Sequence, residues 1–262
     1  MLTRIGGLDT FSSGQGQGEP VLLLHGWGVT SQSLAGVQEM LGDTHRTVAV
    51  DLPGFGWSER PPTAWGTAEY ARHVVGLMDA LGMARATVLG HSFGGRVAIR
   101  MAVEHAPRVA RLVLVASAGI RPPRGVRTRM RVRAVKLARA LFSLPVWGRL
   151  GPRLIERLTE RVGSRDYRAA GAMRPTLVKL VNEDLAPLLP AIQAPTLILW
   201  GDRDQEVPRS AMERMAGAIP GARMLVFPGA GHFPFQDAPE AFARELRTFM
   251  AEGAGRPMEH RR

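Results

Sequence analysis

Short uninterrupted apolar runs recur along this 262-residue chain. They are Glu19–Leu24, Thr47–Asp51, Ala86–Leu89, Leu112–Ala116, Pro195–Trp200 and Ala222–Phe227, each closed by turn residues. Continuous runs of this length predict parallel strands buried on both faces. Stretches with helical spacing separate them: Ser31–Leu41, Thr67–Leu81, Phe93–Glu104, Arg209–Ala218 and Pro239 to about Ala251, the last with proline in its first turn. Strand and helix in alternation predict an α/β fold with a doubly wound, mostly parallel sheet. The residues up to Ser13 can add a small antiparallel edge.

One stretch breaks the alternation. From Arg121 to Pro190 no strand pattern occurs, only basic amphipathic helical patterns interrupted by Pro145, Gly148, Gly151-Pro152, Gly163 and Pro175. The expected organisation is a core of residues 1–120 and 191–262 with a helical cap, 121–190, inserted between two strands. Within it, Phe142, Trp147, Leu150, Leu154 and Leu158 are spaced to pack down on the core, and one or two could line a substrate pocket. The polar tail from Gly255 to Arg262 is expected to fray.

Charge singles out the same segment. Ile120–Arg168 carries 14 Lys/Arg against 3 Asp/Glu, which accounts for the whole formal net charge of +11. A charge excess confined to one block suggests a separate unit with its own surface. It reads as a solvated arginine-rich face, as a rim attracting acidic substrates, or as a membrane-facing patch of Arg127, Arg131, Arg133, Lys136 and Arg139 beside Leu141 and Phe142. No recognised nucleic-acid module accompanies it, so no nucleic-acid partner is expected.

Composition narrows the chemistry. The chain has no cysteine, which excludes a thiol nucleophile, a disulfide framework and cysteine-ligated zinc. The first residues lack an apolar core of signal-peptide length, and no apolar run approaches the ~18 residues that span a bilayer. The expectation is a soluble cytoplasmic protein without stable membrane insertion. No histidine pair has metal-ligand spacing flanked by acids, so neither a metal nor a cofactor is expected. Gly14-Gln15-Gly16-Gln17-Gly18 precedes a strand instead of following one, and so reads as a turn, not a phosphate loop.

The most informative stretch is Gly90-His91-Ser92-Phe93-Gly94, a G-x-S-x-G between a predicted strand and a predicted helix. A serine on so sharp a turn adopts a strained backbone, and its hydroxyl stands clear of the sheet edge. A serine hydroxyl is a weak nucleophile until a base takes its proton, and that base is commonly a histidine oriented by a carboxylate. Gly201-Asp202-Arg203-Asp204 follows the fifth apolar run, and Gly231-His232 follows the sixth. All three groups therefore fall at the carboxyl edge of the sheet. Their order is nucleophile Ser92, acid, base His232, with Asp204 or Asp202 as the acid. His25 and His91 are expected to support loops, whereas His45, His73, His105 and His260 look like ordinary polar positions.

Here the chain resembles the α/β-hydrolase family over essentially its whole length. The resemblance rests on His25-Gly26-Trp27-Gly28, Asp51-Leu52-Pro53-Gly54-Phe55-Gly56, Gly90-His91-Ser92-Phe93-Gly94-Gly95, Gly201-Asp202-Arg203-Asp204 and Gly231-His232. It implies that Asp204 is the acid, being the second aspartate of its motif. The backbone N–H groups of Phe93 and Trp27 are then the expected oxyanion donors, Phe93 at a helix start where the dipole favours an anion. A serine at position 92 excludes branches that attack with aspartate. The serine branch includes esterases, thioesterases, lactonases and carbon–carbon hydrolases of ring-cleavage diketones. The last usually carry tryptophan after the catalytic histidine, where this chain has Phe233. The resemblance implies a serine hydrolase acting on a carboxylic ester, thioester or lactone through an acyl-enzyme. The alternatives are a carbon–carbon hydrolase and a non-catalytic small-molecule binder on the same fold. The expected partner is a small acyl substrate, anionic under one reading of the basic cap.

Overall fold

Side chains along the strands alternate between two apolar layers, as the period of two in an extended backbone requires. The computed structural model describes residues 1–121 and 165–252, with single positions between them (138, 141, 142, 147, 150 and 154). Its strands are β1 (Leu2–Ile5), β2 (Leu8–Gln15), β3 (Glu19–Leu24), β4 (His45–Val50), β5 (Ala86–His91), β6 (Val109–Val115), β7 (Thr196–Gly201) and β8 (Arg223–Phe227). Its helices are α1 (Ala35–Leu41), α2 (Thr67–Ala80), α3 (Phe93–Glu104), α4 (Arg165–Ala169), α5 (Arg174–Asn182), α6 (Arg209–Ala218), α7 (Pro234–Asp237) and α8 (Pro239–Ala251). Leu22, Leu24, Val48, Val50, Val88, Leu112, Leu114 and Ile198 face a layer built by α2, α3 and α6 through Tyr70, Val74, Leu77, Val97, Met101, Met212 and Met215. Val21, Leu23, Ala49, Leu89, Val113, Val115, Leu197 and Leu199 face the opposite layer, built by Val37, Leu41, Phe235, Phe242, Leu246 and Phe249.

The strand order is β1-β2-β4-β3-β5-β6-β7-β8. The six strands from β3 onward run parallel, and β1 and β2 form an antiparallel edge. The sheet expected from the apolar runs is therefore present, with β2 running on to Gln15. Gly16 and Gly18 follow it with positive φ, as the turn reading requires.

Strand β3 pairs with β4 on one side and β5 on the other, so the winding of the chain reverses there. At such a switch point the loops leaving the strand ends diverge and open a crevice. The loops beginning at His25 and at Ser92 flank it. Close approach holds this region together. A Cβ at Gly94 would run into the Leu24 carbonyl oxygen, so α3 seats against the end of β3 only because residue 94 has no side chain.

The chain divides into two compact units, Met1–Arg121 with Pro175–Arg262, and Pro122–Arg174. Residues 175–190, which the sequence assigns to the insertion, thus belong with the sheet. The reason is packing and polar anchoring. Leu180, Leu185 and Leu189 join the apolar layer over α3. Arg96 of α3 donates to the Leu180 and Glu183 carbonyls at 2.9 and 3.3 Å. The Glu183 carboxylate accepts the Thr67 hydroxyl at 2.6 Å and its N–H at 3.1 Å, tying α2 to the end of α5. In the second unit, Phe142 and Trp147 meet edge to face at 5.2 Å, while Leu150 is 60% exposed instead of packed. Leu158 and the basic positions Arg127, Arg131, Arg133, Lys136 and Arg139 lie outside the described residues. Among the described residues no helix is long and apolar enough to cross a membrane.

Two glycine substitutions test this account of packing. Gly94→Ala should destabilise the fold by roughly 1–3 kcal/mol through overpacking. Gly217→Ala, on α6 with open space around the added methyl, should stabilise it by about 0.5 kcal/mol. Denaturant midpoints of the two variants should therefore move in opposite directions.

Candidate active site

Ser92 is the last residue before α3 and adopts φ 50° and ψ −108°, a left-handed conformation that a side chain disfavours. Such backbone costs about 1–3 kcal/mol and persists only where its surroundings over-determine it. They do so here. The Ser92 N–H donates to the Val115 carbonyl at 3.0 Å, and the Ser92 carbonyl accepts from the N–H groups of Gly95 at 3.1 Å and Ala118 at 3.2 Å. The side chain is left partly exposed at the carboxyl edge of the sheet.

The loop after β3 lies beside it; a Cβ built on Gly26 would sit 3.4 Å from the Ser92 Cβ. His25 anchors this loop as a neutral ring. Its Nδ1–H donates to the Gly26 carbonyl at 2.7 Å, and its Nε2 accepts the Leu52 N–H at 3.0 Å. Burial pushes its pKa down, which suits that tautomer. Asp51 then ties in the neighbouring loop, accepting the N–H groups of Ser31 at 2.7 Å and Trp57 at 2.9 Å. Trp27, Phe55 and Phe93 pack together, with Trp27 4.8 Å from Phe55 and 5.6 Å from Phe93. Among the described residues, no acceptor meets the N–H of Trp27 or of Phe93.

The carboxylate and the imidazole come from the loops after β7 and β8. Gly201 lets these loops touch, because a Cβ there would collide with the carbonyls of Ala230 and Gly231. The His232 Nδ1–H donates to Asp204 Oδ2 at 2.9 Å. Asp204 Oδ1 accepts two more bonds, from the N–H groups of Glu206 at 2.8 Å and Val207 at 3.0 Å. Burial by itself would raise the Asp204 pKa, but the bonds from His232 and Val207 outweigh it and hold the carboxyl below its ordinary value. Asp202 closes a turn instead, accepting the Gly229 N–H at 2.7 Å.

His91, directly before Ser92, steadies the histidine loop. Its Nε2–H donates to the His232 carbonyl at 2.9 Å, and its ring lies 4.8 Å from both the His232 and Phe233 rings. Burial, and after it the neighbouring His232, push its pKa down to about 3. The loop-supporting roles expected of His25 and His91 are thus visible as hydrogen bonds. His73 is not the ordinary polar position the sequence suggests. It is buried, bonded to the Thr10 hydroxyl at 2.7 Å, and lowered to about 4 by that burial.

The structure brings Asp204 and His232 into direct contact and sets the loop before Trp27 beside Ser92. It does not join Ser92 to His232 by a hydrogen bond. The His232 Nε2 instead lies 3.2 Å from a carboxylate oxygen of Glu206, a residue the sequence reading did not single out. Glu206 lies two positions after Asp204 in the same loop, and no motif marks it. Among the described residues no group of three or more His, Asp or Glu is arranged to hold a metal ion.

Comparison with known proteins matches the chain to one family. Residues 21–245 match the alpha/beta hydrolase family. The chain is 33% identical to a 2-hydroxymuconate semialdehyde hydrolase of Pseudomonas putida, over 91% of this chain and 89% of that protein. It is 30% identical to a pimeloyl-[acyl-carrier protein] methyl ester esterase of Vibrio vulnificus, over 90% of this chain and 95% of that protein. Among solved structures, a meta-cleavage product hydrolase from Pseudomonas fluorescens superposes with a TM-score of 0.74 at 26% identity, covering 96% of this chain and 97% of that one. With the eight-stranded sheet and the Ser92 turn, these matches establish that the chain belongs to the alpha/beta hydrolase family.

Proposed function

We propose that this hydrolase cleaves a carboxylic ester, or a related thioester or lactone, through an acyl-enzyme on Ser92. The observation that carries the reading is the 2.9 Å bond from His232 to Asp204, made at the sheet edge where Ser92 stands on its strained turn. His232 Nε2 takes the Ser92 hydroxyl proton as Oγ attacks the substrate carbonyl. Asp204 fixes the ring with Nδ1 protonated and stabilises the imidazolium that forms. The N–H groups of Trp27 and Phe93 take up the charge developing on the carbonyl oxygen, with the α3 dipole assisting. Collapse of the tetrahedral species passes the Nε2 proton to the leaving alcohol. Water, activated by the same histidine, then releases the acid. In a free enzyme the serine–histidine bond is often long and tightens once substrate is bound, which fits the open Ser92–His232 geometry.

A second reading, hydrolysis of a carbon–carbon bond in a ring-cleavage diketone, draws on the 33% identity to a 2-hydroxymuconate semialdehyde hydrolase. Phe233, in place of the tryptophan usual in such enzymes, weighs against it. The basic insertion supports an anionic acyl group, attracted by steering more than by tight contact.

Five outcomes test these statements. Ser92→Ala and His232→Ala should each abolish ester hydrolysis with the fold intact, because members of a triad act as a unit. Asp204→Asn should lower kcat by about 10²–10⁴-fold, and a larger loss in Asp202→Asn would reassign the acid. Assayed side by side, a carboxylic ester should give the higher kcat/KM and a meta-cleavage diketone the lower; the reverse order selects the second reading. Finally, the kcat/KM preference for a carboxylate-bearing ester over its neutral analogue should shrink as salt rises, since charges are screened over ~8 Å at physiological ionic strength. Arg127→Glu with Arg131→Glu and Arg133→Glu should remove that preference.

A further inference from the structure

Among the described residues, two non-glycine positions have positive φ: Ser92 at 50° and Ala116 at 44°. Ala116 is fully buried directly after β6, and none of the acyl-transfer steps uses its side chain. Such a backbone is uncommon for a residue with a Cβ and persists only where its surroundings impose it. The hydrogen bonds around it show what does so. Along an extended strand, N–H groups two residues apart point to the same neighbour. The N–H groups of Leu112 and Ala116 both donate to the β7 side, to the carbonyls of Pro195 at 2.9 Å and Leu199 at 2.8 Å. Continued extension would send the Ala118 N–H the same way. It turns instead to the β5 side and donates to the Ser92 carbonyl at 3.2 Å. The left-handed residue at 116 is where the chain turns over.

We propose that Ala116 is a positioning residue, whose left-handed backbone folds the chain after β6 onto the Ser92 carbonyl and so aims the Phe93 N–H. The inference rests on the serine-hydrolase reading above, in which that N–H receives the carbonyl oxygen of the substrate. The link is the peptide plane. The Ser92 C=O and the Phe93 N–H belong to one rigid trans peptide group and point in opposite directions. Whatever grips the carbonyl therefore sets the direction of the N–H. Two donors grip it, the Gly95 N–H at 3.1 Å and the Ala118 N–H. The first belongs to the opening turn of α3 and moves with it. The second comes from the segment after the neighbouring strand, and so fixes the plane relative to the sheet. The Val115 carbonyl, accepting the Ser92 N–H at 3.0 Å, holds the preceding peptide plane from the same strand.

Ser117 keeps the turned-over segment seated. It is buried, and its hydroxyl donates to the Ala118 carbonyl at 2.9 Å. It lies against Gly95, where an added Cβ would collide with the Ser117 Oγ and Cβ. Residues 116–118 therefore press on the first turn of α3 by packing as well as by hydrogen bonding. A hydrogen bond weakens steeply once its angle is poor. A misaimed Phe93 N–H should thus lose most where the oxyanion forms and little in the ground state, so the effect falls on kcat and not on KM.

The test uses Ala116→Gly and Ala116→Val in the full chain, with phenyl acetate as substrate. Glycine takes up a positive φ freely, whereas a β-branched side chain resists it. Ala116→Val should lower kcat by about 10- to 100-fold with KM within about twofold, and Ala116→Gly should stay within about threefold of the parent in both. Two ketone inhibitors separate aim from general damage. Ser92 Oγ adds to the carbonyl carbon of trifluoroacetophenone, the carbonyl π pair moves to its oxygen, and the hydroxyl proton passes to His232. That oxyanion-bearing adduct should bind Ala116→Val about 10- to 100-fold more weakly than the parent, whereas acetophenone, which stays a ketone, should bind both within about twofold. Should Ala116→Val fail to fold, Gly95→Ala replaces it. By pushing on Ser117 it should lower kcat by about 10-fold or more, and adding Ser117→Gly should restore most of that loss. Parent-like kcat in Ala116→Val overturns the proposal, as do equal losses for the two ketones, an Ala116→Gly as slow as Ala116→Val, or a Gly95→Ala loss that Ser117→Gly leaves unrestored. Ser92→Ala separates the two levels. If it keeps full activity, the hydrolase reading fails and the role of Ala116 fails with it; if it is inactive while Ala116→Val matches the parent, only the role of Ala116 is lost.

Discussion

The backbone of Ser92 is forced into a left-handed conformation because β5 must turn into α3 within one residue. That turn is held from β6 and the loop after it, whose Val115 carbonyl and Ala118 N–H respectively bond the Ser92 N–H and the Ser92 carbonyl. It is also held from β3, because Gly94 lets the first turn of α3 sit on the Leu24 carbonyl. The strain is small beside the burial energy of a sheet with apolar layers on both faces, at roughly 25 cal/mol per Å². The fold therefore tolerates it. What the strain yields is position: one hydroxyl clear of the sheet edge and one free N–H, that of Phe93, directly behind it.

The loops bearing Trp27, Asp204 and His232 reach the same sheet edge because parallel strands deliver their following loops to one edge. Strand β3 supplies the His25–Trp27 loop, β7 the Asp204 loop and β8 the His232 loop. Each loop is fixed by hydrogen bonds that use neutral or firmly ionised partners. His25 and His91 are held neutral by burial, so their bonds to Leu52 and to the His232 carbonyl do not titrate away in the working range. Asp204 is kept ionised by three donors. Against this rigid frame Glu206 is the exception, an exposed carboxylate 3.2 Å from the His232 Nε2.

Much of this was legible in the sequence, for identifiable reasons. Buried parallel strands leave unbroken apolar runs, and all six runs fall on observed strands. Ser92, Asp204 and His232 each follow a strand, the first two beside glycines that close approach demands (Gly90, Gly94 and Gly201), so their shared edge could be read in advance. What the sequence did not show depends on contacts without local periodicity. Glu183 reaches Thr67 across 116 positions, and nothing in the helical pattern of residues 175–190 distinguishes a cap helix from one pinned to α2 and α3. His73 has the surroundings of a surface residue in sequence, yet β2 and Trp65 enclose it. Glu206 carries no motif; it meets His232 only because Gly201 brings the loops after β7 and β8 together.

We propose that the strained turn makes Ser92, and no other serine, the nucleophile. Reaction with a neutral fluorophosphonate followed by peptide mass spectrometry tests it most directly. One adduct per chain is expected, on the peptide bearing Ser92, formed at a rate that collapses when His232 is replaced by alanine. An adduct on another serine, or undiminished labelling of the Ser92→Ala variant, would contradict it.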